Sequence, residues 1–228
     1  MTHQLELLGD EAPDPKPPTP DTQSTTERPR EPLFPSAQLM YHALDEAHGV
    51  WLGALPQHLI PTEALFETLW DLHPEAYHKL KIHGRVVPTP RWQQAYGKNY
   101  RYTGALQNAL PTPELLAPYL QWCQAHLDAQ INGLLLNWYD GGLKHYIGAH
   151  RDDTRDLIEA TPIVTISFGQ ERLFRMRPWK QRGFIDLPVS HGELLVIPWD
   201  TNRAWTHEVP HFARYTERRI SVTARAFV

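Results

Sequence analysis

The sequence predicts a mainly β domain with flanking helices, arranged as a jelly roll or barrel. The length of 228 residues suits one domain with a sizeable core. From residue 132 onward the chain is rich in short β-prone stretches separated by turns, with no long helix among them. We predict strands at residues 132–138, 145–150, 162–168, 172–176, 184–187, 193–197, 205–207 and 218–227.

Two helices are predicted before this β-rich region. Thr62 can cap the first helix, which places Leu65 and Leu69 on one face. Residues 112–114 give a second start signal, with proline at the first helical position. Pro118 either moves the start of that second helix or kinks it. We predict that both helices serve packing alone.

The first 36 residues are predicted to form a disordered, Pro-rich acidic tail ahead of one folded domain at 37–228. Residues 1–32 hold seven acidic and three basic side chains, which accounts for the whole net charge of -4. The remainder is balanced, with 19 charges of each sign. The tail is nearly free of large apolar groups after Leu8, so it cannot bury enough surface to offset its chain entropy.

The composition also limits where the protein works. The first residues lack the basic and apolar regions of a signal peptide. No apolar run approaches the roughly 20 residues that a membrane span needs. A chain with a single cysteine, Cys123, cannot form an internal disulfide. Cys123 lies at helical spacing from nearby leucines, which predicts that it is a small, buried apolar side chain. We therefore predict a monomeric intracellular protein without a membrane partner, cytoplasmic or, in a eukaryote, nuclear.

Two stretches of the chain are basic and free of Asp and Glu. Residues 76–113 interleave cations with aromatic side chains, which is typical of surfaces that bind phosphates and stack on bases. The alternative is a solvated basic face whose aromatic rings belong to the core. The second stretch contains Arg172, Arg175, Arg177, Lys180 and Arg182.

A candidate metal site begins at His150-Arg151-Asp152. Side chains at i and i+2 of a strand point the same way, so a strand here would present an imidazole beside a carboxylate. With one more histidine from a distant strand, this pair would form a 2-His-1-carboxylate facial triad, which leaves coordination positions open on Fe(II).

The third ligand is predicted to be His207, which follows Asp152 by 55 residues and lies on a predicted strand. His145, His191 and His211 remain alternatives. The last two rank lower because His191 lies in a predicted turn and His211 follows a proline in a predicted loop.

The last predicted strand carries a pair of arginines that supports such a site. Arg219 and Arg225 are six residues apart and share one face, while apolar residues form the other. Arginines that point into a barrel are costly unless an anion meets them, and a dicarboxylate cosubstrate would. The alternative is a pair of structural salt bridges. Asn137 and Tyr139, also spaced i and i+2, can donate hydrogen bonds into the same cavity.

In this order, Asn-X-Tyr, His-X-Asp, a later His and Arg-X5-Arg, the sequence resembles the AlkB family of Fe(II)- and 2-oxoglutarate-dependent dioxygenases. The resemblance runs from about residue 82 to residue 227 and is closest to the DNA-repair branch. Further matching segments are Pro90-Arg91, Gln94-Ala95-Tyr96-Gly97, His150-Arg151-Asp152-Asp153, Pro162-Ile163 and Ser167-Phe168-Gly169.

The resemblance implies a double-stranded β-helix and assigns roles to individual residues. The implied iron ligands, which are the catalytic residues, are His150, Asp152 and His207. The implied cosubstrate-binding residues are Asn137, Tyr139 and Arg219, with Arg225 orienting Asp152 or the cosubstrate. The implied substrate-binding residues are Tyr100, Tyr102, Arg151, Asp153 and His83.

Three positions depart from the repair branch. Thr154 stands where that branch has a glutamate beside the substrate. Ser221 replaces an asparagine two residues after the first arginine. His83, in Ile82-His83-Gly84, occupies the place of an aromatic wedge that enters the duplex.

The implied function is oxidative dealkylation of N-alkylated bases in DNA or RNA, with Fe(II) as cofactor and 2-oxoglutarate and O₂ as cosubstrates. The loss of the wedge favours single strands over duplexes. Two alternatives use the same barrel: a hydroxylase or demethylase of a protein or small molecule, and an inactive barrel that only binds a ligand. The complete set of ligand and arginine positions argues against the inactive barrel.

Deletion of residues 1–32 is expected to leave stability and turnover unchanged, because this segment reads as disordered. Thermal melts and succinate formation of the full-length and truncated proteins test this. A fall of several degrees in Tm would show that the tail packs on the domain.

Overall fold

The computed structural model describes Phe34 and residues 37–82, 84–102 and 105–228, but not the side chains of Lys81, Ile82, Tyr102 and Ala105. Its three α-helices are α1 (Glu63–Trp70), α2 (Ala117–His126) and α3 (Trp199–Ala204). Its strands are β1 (Leu39–Ala43), β2 (Gly49–Ala54), β3 (Lys79–Ile82), β4 (Arg85–Pro88), β5 (Trp92–Tyr96), β6 (Tyr100–Tyr102), β7 (Ala105–Gln107), β8 (Gly133–Asp140), β9 (Ile147–His150), β10 (Ile163–Gly169), β11 (Arg172–Pro178), β12 (Ile185–Val189), β13 (Glu193–Ile197), β14 (Trp205–Val209) and β15 (Arg218–Arg225).

The eight strands from β8 to β15 are the eight that the sequence predicts, and every end lies within two residues of its predicted position. They divide equally between two antiparallel sheets, with β8, β10, β13 and β15 in one and β9, β11, β12 and β14 in the other. The larger sheet has the order β1-β2-β13-β10-β15-β8-β5, and the smaller has the order β12-β11-β14-β9. This is a double-stranded β-helix, so the predicted fold class is confirmed.

The first seven strands were not predicted. β1 and β2 extend the large sheet beyond β13, and β5 extends it beyond β8. The other four form two separate hairpins, β3–β4 and β6–β7, within the basic stretch 76–113. Short strands with exposed side chains, such as β4, lack the apolar alternation that marks a strand in a sequence.

The two faces of the large sheet have different environments, and β15 shows why. Its residues Ile220, Val222 and Ala224 are fully buried against a core that α1 and α2 cover. Arg219 and Arg225 alternate with them and therefore face the small sheet. Apolar residues of both sheets form a second core cluster between them, and the two arginines face the same interior.

Both predicted helices form, and both pack on the large sheet. The Thr62 hydroxyl caps α1 by accepting from the Leu65 amide at 3.4 Å. A single 3-10 turn, Glu114–Leu116, precedes α2, which places Pro118 in the first turn of the helix rather than in its interior. Cys123 of α2 is fully buried, and burial raises the pKa of its thiol to about 12, which makes it unsuited to act as a nucleophile.

The predicted acidic tail lies outside the described residues, with one exception. Phe34 is 5% exposed, and its ring centroid is 6.0 Å from that of Trp51. At this residue the packed domain begins earlier than the predicted boundary at residue 37. In the part of the chain that the structure describes, no helix is long and apolar enough to span a membrane.

Trp138, on β8, is expected to be a main determinant of stability. It is fully buried, and its Nε1 donates to the Leu69 carbonyl of α1 at 2.9 Å. Trp138→Ala should lower the free energy of unfolding by about 3–5 kcal/mol, as truncation of a buried Trp does. Met40→Ala, at a position 69% exposed, should change it by less than about 0.5 kcal/mol. Urea titration of both variants tests this, and equal losses would contradict the description of the core.

Candidate active site

Three predicted metal ligands come together where β9 and β14 of the small sheet meet the loop after β9. His150 on β9 and His207 on β14 are paired across neighbouring strands. The Asp152 Oδ1 atom lies 3.8 Å from His150 Nε2 and 3.9 Å from His207 Nε2. In the described part of the chain, this is the one group of three or more such side chains whose ligand atoms can converge on a metal ion.

Asp152 reaches this position from a loop, so the prediction of a His-X-Asp pair within one strand was wrong. β9 ends at His150, and Asp152 lies two residues beyond it. Its backbone is held by the Asn202 side chain and its carboxylate by Arg225. Both Arg225 contacts, at 2.8 Å from Nε and 2.7 Å from Nη2, reach Oδ2, which leaves Oδ1 facing the two imidazoles.

The protonation states of the three side chains suit metal binding. Burial, with the neighbouring His207 ring, lowers the pKa of His150 to about 3, and burial also lowers the pKa of His207. Burial would raise the pKa of Asp152, but the Arg225 guanidinium and the two imidazoles hold it at about 2. Near neutral pH both rings are therefore neutral and the carboxylate is ionised, as metal ligands must be.

The ring orientation of His150 is also appropriate. Its Nδ1 is 2.9 Å from the Gly148 carbonyl, which can only accept, so Nδ1 carries the proton and Nε2 presents its lone pair to the cluster. His207 stacks on Phe174 with ring centroids 5.3 Å apart. Two neutral imidazoles and one carboxylate on one side of an open position form the donor set of non-heme Fe(II) sites. The residues present therefore fit the ion.

The three alternative histidines lie elsewhere. His145 Nδ1 accepts from the Asp140 amide at 3.1 Å, so its Nε2–H donates to the Tyr77 hydroxyl at 2.9 Å. His191 Nδ1 accepts from a backbone amide of β10 at 3.0 Å. His211 is exposed in the segment after β14. The structure thus resolves the choice in favour of His207.

A second polar cluster lies at the start of β15 and contains the residues expected to hold the cosubstrate. Arg219 is 1% exposed, pairs in register with Tyr139 and donates from Nε to the Ser167 hydroxyl at 2.9 Å. Burial lowers its pKa, with Tyr139 opposing the shift. Among the described residues, Arg219 Nη1 has no hydrogen-bond partner. A buried cation with an unsatisfied donor fits a ligand carboxylate.

Asn137 belongs to the same cluster and has a partner that the sequence did not reveal. Arg91 donates from Nε to Asn137 Oδ1 at 2.7 Å and is only 3% exposed. Because guanidinium can only donate, this contact fixes which end of the Asn137 amide faces Arg91. Arg91 was predicted to be part of a basic surface, and its burial shows that this was wrong.

An open cleft of about 1100 Å³ reaches the metal cluster from solvent. Two predicted substrate-binding residues, Arg151 and Asp153, line it together with His150 and Asp152. The Arg151 guanidinium lies 4.0 Å from the centroid of the exposed Trp179 ring. Asp153 accepts from Arg155 Nε at 2.9 Å, and this pairing lowers its pKa.

The other predicted substrate-binding residues are Tyr100, Tyr102 and His83. Tyr100 is 3% exposed and lies behind the metal cluster, where its hydroxyl is 3.4 Å from Asp152 Oδ1 and the Arg225 guanidinium is 4.7 Å from its ring centroid. The side chain of Tyr102, on β6, and all of His83 are outside the described residues.

The second basic stretch does not form a continuous cationic surface. Arg172 is 1% exposed, and burial, with the nearby Arg219, lowers its pKa to about 10. Neighbouring strands supply acidic partners to Arg175 and Arg177, which pair with Asp186 and Glu208. The sheet register brings these acids in, so a stretch without acidic residues in sequence is largely neutralised in space.

Helix α3 is the part of the site that sequence reasoning missed most completely. Asn202 Oδ1 accepts from the Asp152 amide at 3.0 Å, and Asn202 Nδ2 donates to the Asp152 carbonyl at 3.1 Å. Trp179, on the wall of the cleft, was also missed. In sequence, the only signal for Asn202 is its place five residues before His207, which does not distinguish it from its neighbours.

Comparison with known proteins agrees with this geometry. Residues 63–225 match the family model of the 2OG-Fe(II) oxygenase superfamily. The human protein named DNA oxidative demethylase ALKBH2 is 32% identical over 163 residues, which cover 66% of this chain and 61% of that protein. The rat alpha-ketoglutarate-dependent dioxygenase alkB homolog 3 is 31% identical over 153 residues, which cover 61% of this chain and 51% of that protein.

The matched stretch thus spans about six tenths of the human relative's length. Among solved structures, that of OsALKBH1 superposes with a TM-score of 0.52 at 15% identity, covering 82% of this chain and 99% of that one, which shows the fold alone. The family match covers most of the chain and contains all three metal ligands, and the chain is therefore an AlkB-like member of the 2OG-Fe(II) oxygenase superfamily.

Proposed function

We propose that this dioxygenase removes alkyl groups from the ring nitrogens of nucleobases in DNA or RNA, and that it takes single strands more readily than duplexes. One observation carries the proposal. The metal cluster opens into a wide cleft whose wall places the Arg151 guanidinium on the exposed Trp179 ring, in a chain similar to proteins named as DNA oxidative demethylases.

When bound, Fe(II) and 2-oxoglutarate supply oxidative chemistry in which one atom of O₂ enters a C–H bond of the N-alkyl group and the other enters succinate, with release of CO₂. The hydroxylated product is a hemiaminal, which collapses to an aldehyde and the unmodified base. The protein's contribution is to position the reacting groups and limit the access of water.

Several side chains would hold the reactants for this chemistry. His150, Asp152 and His207 would bind the metal, with Arg225 holding Asp152 Oδ2 so that Oδ1 faces the ion. Arg219 would bind the distal carboxylate of 2-oxoglutarate through its unsatisfied Nη1, with Asn137 beside it. Support for this role comes from burial, since a guanidinium that is 1% exposed gains from a carboxylate partner.

The cleft wall offers features that recognise a nucleotide. Bases can stack on an aromatic ring, and such stacking contributes about 1–3 kcal/mol per base with little sequence preference. The exposed Trp179 ring with the Arg151 guanidinium can provide such a surface, and Arg151 brings a cation to the same wall. Asp153 at the cleft can accept a hydrogen bond from the exocyclic amine of a base.

The preference for single strands rests on His83 and on the charge distribution. A base must leave the stack to reach the metal, which costs a few kcal/mol and least in single strands. His83 is smaller and more polar than an aromatic wedge and would recover less of that cost in a duplex. Burial of Arg91 and Arg172 also leaves fewer exposed cations to grip two phosphate backbones.

Arg219→Lys is expected to raise the 2-oxoglutarate concentration needed for half-maximal turnover at least tenfold, because an ammonium cannot make the bidentate pair. Truncating one partner of a buried charged pair costs about 2–5 kcal/mol. Arg218→Lys is the matched control, because this exposed neighbour pairs with Glu67 on the opposite face. Succinate formation against cosubstrate concentration tests both variants, and an unchanged titration for Arg219→Lys would refute its assignment to the cosubstrate.

Purified enzyme should demethylate oligonucleotides that contain 1-methyladenine or 3-methylcytosine, and faster in single strands than in duplexes. The four substrates to compare are single- and double-stranded DNA and RNA, with Asp152→Ala as the inactive control. Trp179→Ala should raise KM for the oligonucleotide by about tenfold, because loss of one stacked base costs about 1–3 kcal/mol. Its requirement for 2-oxoglutarate should not change.

Equal or faster repair of duplex DNA would refute the single-strand preference. Absence of repair on every oligonucleotide, with substrate-independent succinate formation intact, would refute nucleobase dealkylation. That result would assign the protein to the hydroxylases of proteins or small molecules.

A further inference from the structure

Helix α3 links more parts of the active site than its six residues suggest. Its last four residues bind three other segments of the chain. Thr201 donates to the Gly49 carbonyl at 2.8 Å. Asn202 binds the Asp152 backbone, and the carbonyls of Arg203 and Ala204 accept from Arg151 and Trp179.

In the contact with Asp152, a single side chain binds both backbone polar groups of one residue, its amide and its carbonyl. Asn202 Oδ1 accepts from Asp152 N at 3.0 Å, and Asn202 Nδ2 donates to Asp152 O at 3.1 Å. A carboxamide can do both at once, since it carries its acceptor and its donor on two neighbouring atoms, as a neighbouring strand would. Asn202 is 1% exposed, so water does not compete for these bonds.

A metal ligand at this place needs such support. β9 ends at His150, so Asp152 has no strand partner for its amide and carbonyl. Buried backbone groups need partners, and a loop ligand without them would adopt several positions. Arg225 fixes the carboxylate end of the residue, but it does not fix the backbone from which the side chain extends.

We propose that Asn202 is a positioning residue for the metal centre, acting by clamping the Asp152 backbone so that Oδ1 is held within ligand distance of the two imidazoles. Asn202 substitutes for the missing strand partner, so Asp152 is held in place although β9 ends two residues before it. Its effect falls on metal affinity, whichever substrate the enzyme takes.

The experiment measures Mn(II) binding to the metal-free enzyme by isothermal titration calorimetry, with Mn(II) as a redox-inert substitute for Fe(II). Asn202→Ala is expected to weaken Mn(II) binding about 10- to 100-fold, the range seen when residues that orient metal ligands are removed. At saturating Fe(II), the concentration of 2-oxoglutarate needed for half-maximal turnover should stay within twofold of that of the unmodified enzyme, because Arg219 and Asn137 are untouched.

Thr201→Ala is the matched control. Thr201 lies on the same helix, is 2% exposed and loses one buried hydrogen bond, but it binds Gly49 and not the metal loop. It should lower Tm to a similar degree and leave Mn(II) affinity unchanged. If Asn202→Ala does not fold, Asn202→Ser serves in its place, because serine is shorter and its single oxygen cannot occupy the positions of both Oδ1 and Nδ2, so it should weaken Mn(II) binding in the same direction.

Two results would overturn the proposal. One is Mn(II) affinity in a folded Asn202 variant equal to that of the unmodified enzyme. The other is an equal loss of affinity in Thr201→Ala, which would assign the effect to the stability of α3 as a whole. Neither result depends on which substrate is dealkylated, so failure here is distinct from failure of the proposed function.

Discussion

The buried ion pair between Asp152 and Arg225 is the interaction on which the site depends. It joins a loop after β9 to the last strand of the large sheet, 73 residues further along the chain, and both side chains are almost fully buried. Removing one partner of such a pair costs about 3–5 kcal/mol, because the other charge is left uncompensated. The pair therefore fixes one metal ligand to β15, an interior strand of the large sheet, and holds its carboxylate ionised.

Further arginines are buried in the described part of the chain, in addition to Arg225. Arg172, Arg219 and Arg225 are all buried, with Arg172 close to Arg219, and among the described residues each has at least one guanidinium nitrogen without a partner. Unsatisfied buried donors lower stability, and proteins tolerate them where a ligand completes them. An anionic cosubstrate present at 100 times its Kd would add about 2.7 kcal/mol to the stability of the folded state. The unpaired guanidinium nitrogens that lower the stability of the ligand-free protein are thus also the groups available to bind an anionic cosubstrate.

The sequence allowed prediction of the features that depend on alternation and order. The face of β15 that carries Arg219 and Arg225 follows from a period of two, and the eight strands of the barrel follow from short apolar runs between turns. The sequence could not reveal contacts that depend on which residues of neighbouring strands face each other. Arg175 meets Asp186 only because β11 pairs with β12, and Arg91 is buried only because it reaches Asn137. The role of Asn202 is likewise invisible in sequence, since its partner is a backbone 50 residues away.

The pairing of β2 with β13 has a consequence for how this protein can be shortened. The family match begins at residue 63, yet β1 and β2, at 39–54, form one margin of the large sheet and supply the Gly49 carbonyl that Thr201 binds. A fragment cut at the family boundary would expose the unpaired amides and carbonyls of β13 along an apolar strand. Such an open margin is a template for intermolecular β-pairing, so the fragment would tend to aggregate even with every metal ligand present.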